Sequence, residues 1–388
     1  MHICHVTPHL PPDQAANALL PYHLGAWSRE SGDKCSFVAH PSRQSRESSH
    51  LGARVDLAGP VAWVPLPRSR RSLPPVMARF GSVAASFRVA RLAGPFIAGA
   101  DVVHVHSNGL LPEVAAFLAA RRRKPVVLTM YGTEIWHYRP RRAPDLFTRA
   151  YRRAAHVTFY SEGLRSHAAS AGLGRDGTSV IYPPVAAEFR EADQARRRLA
   201  RRALGFDDGT PLLVNVKRLH PLGGQRHLIE ALPAVRACVP GTQLVICGTG
   251  PLREELEAVA RKAKVEEAVR FTGLVDNSAV ALHDQAADVF VLPSLLEACP
   301  TVALEALACG TPVVSTDNPG GIELARLFGR DVAVVAREDP VALARAITAA
   351  LQERRRADGA TIERIEREFR LRAVAARFRA VYESVIGP

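Results

Sequence analysis

Two carboxylates stand in one of the least polar stretches of the chain. In LLEACPTVALEALACGTPVV, residues 295–314, Glu297 and Glu305 are separated by seven residues, and nearly all their neighbours are apolar or small. The run VFVLPS before them reads as a strand ending near Ser294. Pro300 or Thr301 then opens a helix that stops at Gly310. Glu297 falls in the loop at the strand's carboxyl end, and Glu305 lies one to two turns into the helix. An unpaired carboxylate in so apolar a helix is costly and needs a partner. Two partners are open: an arginine of the same domain, or a ligand that offers paired hydroxyls to the carboxylate and an anionic phosphate to the free amides of the helix start.

Three other places carry similar chemistry. In CGTGPLREEL (247–256), Gly248 and Gly250 bracket a tight turn, and Pro251 can start a helix. Such glycines let backbone approach a nucleotide, although a plain strand-to-helix turn has the same composition. In VNVKRLHPLGGQRH (214–227), Arg218 stands at a strand end, where a guanidinium grips a diphosphate or makes a surface salt bridge. His104 and His106 alternate along DVVHVH and share one face. Two histidines are too few for a metal, so the expectation is buried, hydrogen-bonded imidazoles and no metal site, with His106 able to reach an acceptor.

These residues need a frame, and 388 residues are too many for one ordinary core. The 47% hydrophobic content fits a folded globular protein. Short β-rich runs alternate with longer helical ones, the mark of an α/β fold with parallel sheets. The expected strands are residues 2–7, 34–39, 101–106, 125–130, 156–161 and 178–182 in the first half, and 212–219, 243–248, 269–273, 289–294 and 312–316 in the second. PPVMARFGSVAASFRVARLAG reads as a helix facing the core through Val76, Phe80, Val83, Phe87 and Ala90, with a membrane-surface helix as the alternative. A charged stretch near 184–208 reads as the linker. We therefore expect domains over 1–190 and 191–388 facing across a cleft, with the last helix, about 366–388, packing back on the first domain. Open parallel sheets bind ligands beyond the carboxyl ends of their strands, so the loops just after the strands, such as those with Arg218, Gly248 and Glu297, are the informative places.

The net charge is +13, and only five of the 51 basic residues are lysine. Arginines cluster in PRSRRS (67–72), RRRK (121–124), RPRR (139–142) and ARRRLARR (195–202). No aromatics interleave with them and no nucleic-acid module is present, so most are expected on a solvated face and nucleic acid is not an expected partner. Six scattered cysteines without a C-x-x-C pair point to reduced thiols. MHICHVTPHLPP lacks the pattern of a signal peptide, and arginines interrupt every long apolar run. A cytoplasmic protein is expected, with peripheral contact at the inner face of the membrane through the arginine clusters as an option.

The stretch ADVFVLPSLLEACPTVALEALACGTPVVSTDNPGGIEL resembles the signature of the glycosyltransferase family 4 group of retaining enzymes. VKRL, GTGPL and VRFTGLV precede it in that family's order and spacing. DVVHVHSN, VVLTMYGTE, HVTFYSEGL and VIYPPV match the first half more loosely, so the resemblance runs nearly end to end. It implies the GT-B arrangement of two Rossmann-like domains, an acceptor-binding N-terminal one and a C-terminal one holding a nucleotide diphosphate sugar, UDP- or GDP-linked. No cofactor or divalent metal is implied. Glu305 would hold the ribose hydroxyls, Glu297 would touch hydroxyls of the transferred sugar, and Arg218 would neutralise the departing diphosphate. Gly248 and Gly250 would line the nucleotide site, and Cys299, Pro300, Thr301 and Val302 would contact sugar or phosphate. The implied activity is retaining transfer of a hexosyl-type sugar in synthesis of cell-envelope polysaccharide, glycolipid or natural-product glycosides. The rivals are a catalytically idle nucleotide-sugar-binding partner of another transferase, and a sugar-nucleotide epimerase on the same fold.

The pattern departs from the family at three points. Gly223 stands where a second diphosphate cation, a lysine, is usual; Lys217 and Arg226 are the nearest substitutes, Lys217 being disfavoured because adjacent strand residues face opposite ways. Tyr131 replaces a histidine that lies near the reacting sugar. PPDQAAN (11–17) lacks the usual paired glycines, which leaves Gln14 on the acceptor side with Tyr131 and His106.

Overall fold

A computed structural model describes residues 1–11, 13, 15–41, 56–65, 75–139 and 145–387, and of residues 75–82 the backbone alone. The chain forms two compact units. One comprises Met1–Pro183 with Leu371–Pro388, and the other Pro184–Arg370. The sequence reading had set the division at 190/191. The stretch read as a linker contains a helix, Gln194–Ala203. Arg201 explains why that arginine-rich segment is structured: only 2% exposed, it donates to the carbonyls of Ala286, Asp207, Asp208 and Thr210 and to Asp288.

Among the described residues the first unit has seven strands: β1 (His2–Val6), β2 (Lys34–Ala39), β3 (Val61–Trp63), β4 (Val102–His106), β5 (Val126–Met130), β6 (His156–Phe159) and β7 (Thr178–Val180). All pair in parallel, in the order β3-β2-β1-β4-β5-β6-β7. The second unit has six: β8 (Leu212–Val216), β9 (Gln243–Cys247), β10 (Val269–Gly273), β11 (Val289–Leu292), β12 (Val313–Thr316) and β13 (Val332–Val335). They too are parallel, in the order β10-β9-β8-β11-β12-β13. Both orders are doubly wound, reversing direction between β1 and β4 and between β8 and β11. Helices cover the sheets, so central strands such as Val289–Leu292 are buried along their whole length and read as continuous apolar runs.

Two strands absent from the sequence reading, β3 and β13, each form an outer edge of their sheet. The helix over Pro75–Gly99 exists as expected, but its buried stripe is Ala85, Val89, Ala93 and Ile97. Val83 and Phe87 of the expected core face are 54% and 73% exposed, and the side chains of Val76 and Phe80 lie outside the described residues. The segment is apolar nearly all round, so periodicity gave no preference between the two stripes. The helix Leu371–Ile386 belongs to the first unit, where Phe378 and Tyr382 are buried.

Candidate active site

In the second unit the reversal of strand order opens the carboxyl ends of β8 and β11, and the loops after them carry the acidic and basic side chains. β8 ends at Val216, so Lys217 and Arg218 already belong to the loop. The Lys217 amide still donates to Cys247 O at 3.0 Å. Its ammonium forms an ion pair with Oε1 of Glu297, in the loop after β11. Strand alternation therefore does not turn Lys217 away from this edge, against the sequence expectation. Arg218 is exposed and has no ion pair among the described residues.

Gly248 and Gly250 follow β9 and press against that same loop. A Cβ on Gly248 would lie 2.2 Å from the Lys217 carbonyl oxygen, and one on Gly250 equally close, 2.2 Å, to that of Leu219. Leu219 N donates to Thr249 O at 3.0 Å, so the two loops are laced together by backbone where no side chain fits. The loop after β11 is anchored by Gly320 N, which donates to Glu297 O at 2.9 Å. Cys299 and Pro300 are buried, and burial holds the Cys299 thiol well above its ordinary range, aided by Glu323 and Glu297. Thr301 and Val302 are half-buried and begin the helix Thr301–Ala308, whose N-terminus has no side-chain cap, leaving first-turn amides for a ligand.

Glu305 lies within that helix. It has no hydrogen-bond or ion-pair partner among the described residues, so the arginine the sequence left open as a partner is not there. Its charged influence is another acid: burial, with Glu188 adding to it, pushes the Glu305 carboxyl up to about 8. Behind it, Asp284 is fully buried with neither carboxyl oxygen partnered, and burial together with the Glu305 charge holds it well above its ordinary range. A largely buried carboxyl with unpartnered oxygens and other acids near it is left short of hydrogen-bond donors.

The first unit fills the corresponding place differently. His106 shares a hydrogen bond with the Tyr131 hydroxyl (2.7 Å) through Nδ1 and with His5 Nδ1 (3.1 Å) through Nε2. His104 is held at Nδ1 by the Tyr382 hydroxyl and at Nε2 by Thr129 Oγ1, both at 2.7 Å. Burial brings His5 down to about 3 and keeps His104 and His106 well below the usual range, so all three rings are neutral. Ring nitrogens of the three lie within 4.8 Å of one another. Both nitrogens of His104 and of His106 are already engaged, however, and their rings lie 3.9 Å apart at a tilt of 37°, which suits a hydrogen-bonded cluster better than convergence on an ion. Tyr131 is half-buried; its amide and that of Gly132 donate to the Glu134 carboxylate at 2.5 and 3.2 Å. Gln14 lies outside the described residues.

The sequence reading missed the Lys217–Glu297 pair, the acids Glu188 and Asp284 near Glu305, and His5 in the imidazole cluster. Only His5 had a readable signal, since it sits on β1 in register with His104.

Residues 196–366 match the family described as Glycosyl transferases group 1, and residues 22–189 match Glycosyltransferase Family 4. The chain is 35% identical over 256 residues to a GDP-mannose-dependent alpha-(1-6)-phosphatidylinositol monomannoside mannosyltransferase of Mycolicibacterium smegmatis, covering 64% of this chain and 65% of that one, just under two thirds of its length. It is 33% identical over 290 residues to a glycogen synthase of Mycobacterium tuberculosis, covering 73% of this chain and 68% of the relative. Among solved structures, the Anabaena protein HepE in complex with UDP superimposes with a TM-score of 0.77 at 18% identity, covering 99% of this chain and 100% of that one, a likeness of fold.

Proposed function

The chain belongs to the family 4 glycosyltransferases, with two Rossmann-like parallel-sheet domains of the GT-B kind, and on that premise we propose that it moves a sugar, with retention, from a nucleotide diphosphate donor to an acceptor hydroxyl. The observation that carries this reading is Glu305, an acidic side chain in an apolar helix with no partner in its own unit and a carboxyl lifted to about 8. A ribose 2′,3′-diol supplies the two donors such a group lacks, and binding it favours the ionised form. Glu297 accepts from hydroxyls of the transferred sugar, and Arg218 faces the diphosphate. Gly248 and Gly250 keep side chains away from the nucleotide, and the segment Cys299–Val302 presents amides to sugar or phosphate.

In the reaction the bond from the anomeric carbon to the leaving phosphate oxygen breaks, and the acceptor oxygen bonds to that carbon from the same face. The acceptor proton passes to a phosphate oxygen of the departing diphosphate. No protein nucleophile and no resident metal is required; the chain supplies positioning and charge stabilisation. The first unit, with Tyr131 and His106, is assigned the acceptor, and Gln14 stays assigned there from sequence alone. The donor is UDP- or GDP-linked: the mannosyltransferase relative is GDP-mannose-dependent, and the Anabaena structure contains UDP. The acceptor is a glycan, glycolipid or small glycoside precursor of the cell envelope or of a natural product. No helix among the described residues is long and apolar enough to cross a membrane. Peripheral contact rests on arginine clusters such as Arg121–Arg123, which are exposed.

The test is a thermal-shift screen of the full chain against UDP-, GDP-, ADP- and TDP-sugars beside Glu305→Ala. A rise in melting temperature with one nucleotide class, lost in the variant, is expected. A rise with a donor that is never turned over would favour the idle-partner reading, and no rise with any donor, with or without acceptor present, would overturn the reading of the donor site.

A further inference from the structure

We propose that Lys217 is a second cation for the donor diphosphate, parked on Glu297 until the donor arrives. This rests on the reading of the second unit as the nucleotide-sugar site. A sugar-linked diphosphate carries two ionised phosphates, and a further charge develops on the leaving oxygen as the anomeric bond breaks. One guanidinium, that of Arg218, leaves much of this charge uncompensated.

The loop beyond Arg218 offers little help. Pro221–Gly224 contains no basic residue, and a Cβ on buried Gly223 would lie 2.3 Å from Gln225 Oε1. Arg226 is exposed and committed elsewhere, donating to Glu230 at 3.0 Å and Glu255 at 3.2 Å. Lys217 differs on every count. Its backbone is fixed by Cys247 O and abutted by Gly248, so only its side chain is free to swing. Its side chain stays 27% exposed beside a Glu297 side chain that is 13% exposed, at the edge that also carries Arg218. The pair neutralises both groups while the site is empty. Moving the ammonium from carboxylate to phosphate then places a positive charge on the leaving group and frees Glu297 for the sugar hydroxyls. One exchange of partners readies both halves of the donor site.

The experiment is calorimetric titration of the full chain with UDP, GDP, UMP and GMP, comparing wild type with Lys217→Met, Lys217→Gln, Lys217→Arg and Glu297→Gln. For the diphosphate that binds wild type, Lys217→Met and Lys217→Gln should weaken affinity about tenfold while the matching monophosphate changes less than about twofold. Lys217→Arg should recover most of the loss, and Glu297→Gln, which releases the ammonium, should bind diphosphate as tightly as wild type or more so. Lys217→Gln retains a polar chain able to bond Glu297, so it separates lost charge from a lost fold if Lys217→Met does not fold. Unchanged diphosphate affinity in Lys217→Gln and Lys217→Met would overturn the proposal, as would equal losses for diphosphate and monophosphate. A wild type that binds none of the four would instead sink the reading of the site itself, and this inference with it.

Discussion

Across β1, β4, β5 and β6 of the first sheet and the helix Leu371–Ile386, three neutral imidazoles, two phenols and two threonine hydroxyls are joined in hydrogen bonds of 2.7–3.1 Å. Between β8 and β11 of the second, the same turn of topology ends in a lysine on a glutamate, an exposed arginine and, on the helix that follows, a carboxyl without a partner. One strand order thus supports two polar interiors. The first is uncharged and bonded largely within itself, with His5 Nε2 left without a partner, and it braces the strands that carry it. The second is open and charged, and its Arg218 guanidinium and Glu305 carboxyl have no partners among the described residues. Doubly wound sheets bring loops together at such points; the residues placed there decide whether the meeting becomes a brace or a socket.

Four changes would break or sharpen that contrast. The largest effect is expected from Glu305→Ala: two charge-assisted hydrogen bonds lost, at roughly 1.5–3 kcal/mol each, should lower kcat/KM by about a hundredfold or more, read by donor titration. Next, Arg218→Met should reduce kcat by about a hundredfold with a smaller change in donor KM, because the leaving charge is greatest in the transition state. Tyr131→Phe in the closed network leaves His106 Nδ1 unpaired and should cost about 1–3 kcal/mol of stability in denaturant unfolding, with nucleotide affinity unchanged. An equal loss of nucleotide binding there would erase the distinction between brace and socket.

The mildest change is pH. Burial lifts the Glu305 carboxyl from 4.5 to about 8, so between those values the folded chain keeps a proton that the unfolded chain releases. That contribution is fully present below pH 4.5 and is lost as pH rises toward 8, at a slope of at most about 1.4 kcal/mol per unit. The melting temperature of the ligand-free protein should fall over this range, and Glu305→Gln should flatten the profile. A wild-type profile as flat as the variant's would mean that Glu305 is solvated or paired.

Central strands were legible because burial on both faces makes them uniform apolar runs between turns, as in VFVL before Glu297. The edge strands β3 and β13 were not, since VAW is too short to stand out and VAVV emerges from a polar surround. The face of the helix Pro75–Gly99 escaped for the opposite reason: with apolar residues nearly all round, only packing chooses Val89 and Ile97 over Val83 and Phe87. ARRRLARR looked like solvated charge because nothing local reveals that Arg201 will cap carbonyls several turns away and meet Asp288. At the candidate site, sequence narrowed Glu305 to a choice between an internal arginine and a ligand, and three-dimensional proximity removed the arginine. The strand alternation invoked against Lys217 does not apply, because the expected strand runs to residue 219, three residues past the end of β8.

The Tyr382 hydroxyl that holds His104 comes from a helix nearly three hundred residues further along the chain. A ribosome therefore releases the entire second unit, Pro184–Arg370, before it releases the last component of the first. During synthesis the opening 183 residues wait with His104 lacking its Nδ1 partner and with the seat of Phe378 empty. The half that is begun first is finished last. A fragment stopping at Pro183 is accordingly an interrupted domain, and its purification in isolation calls for Leu371–Ile386 to be supplied as a fused or added segment.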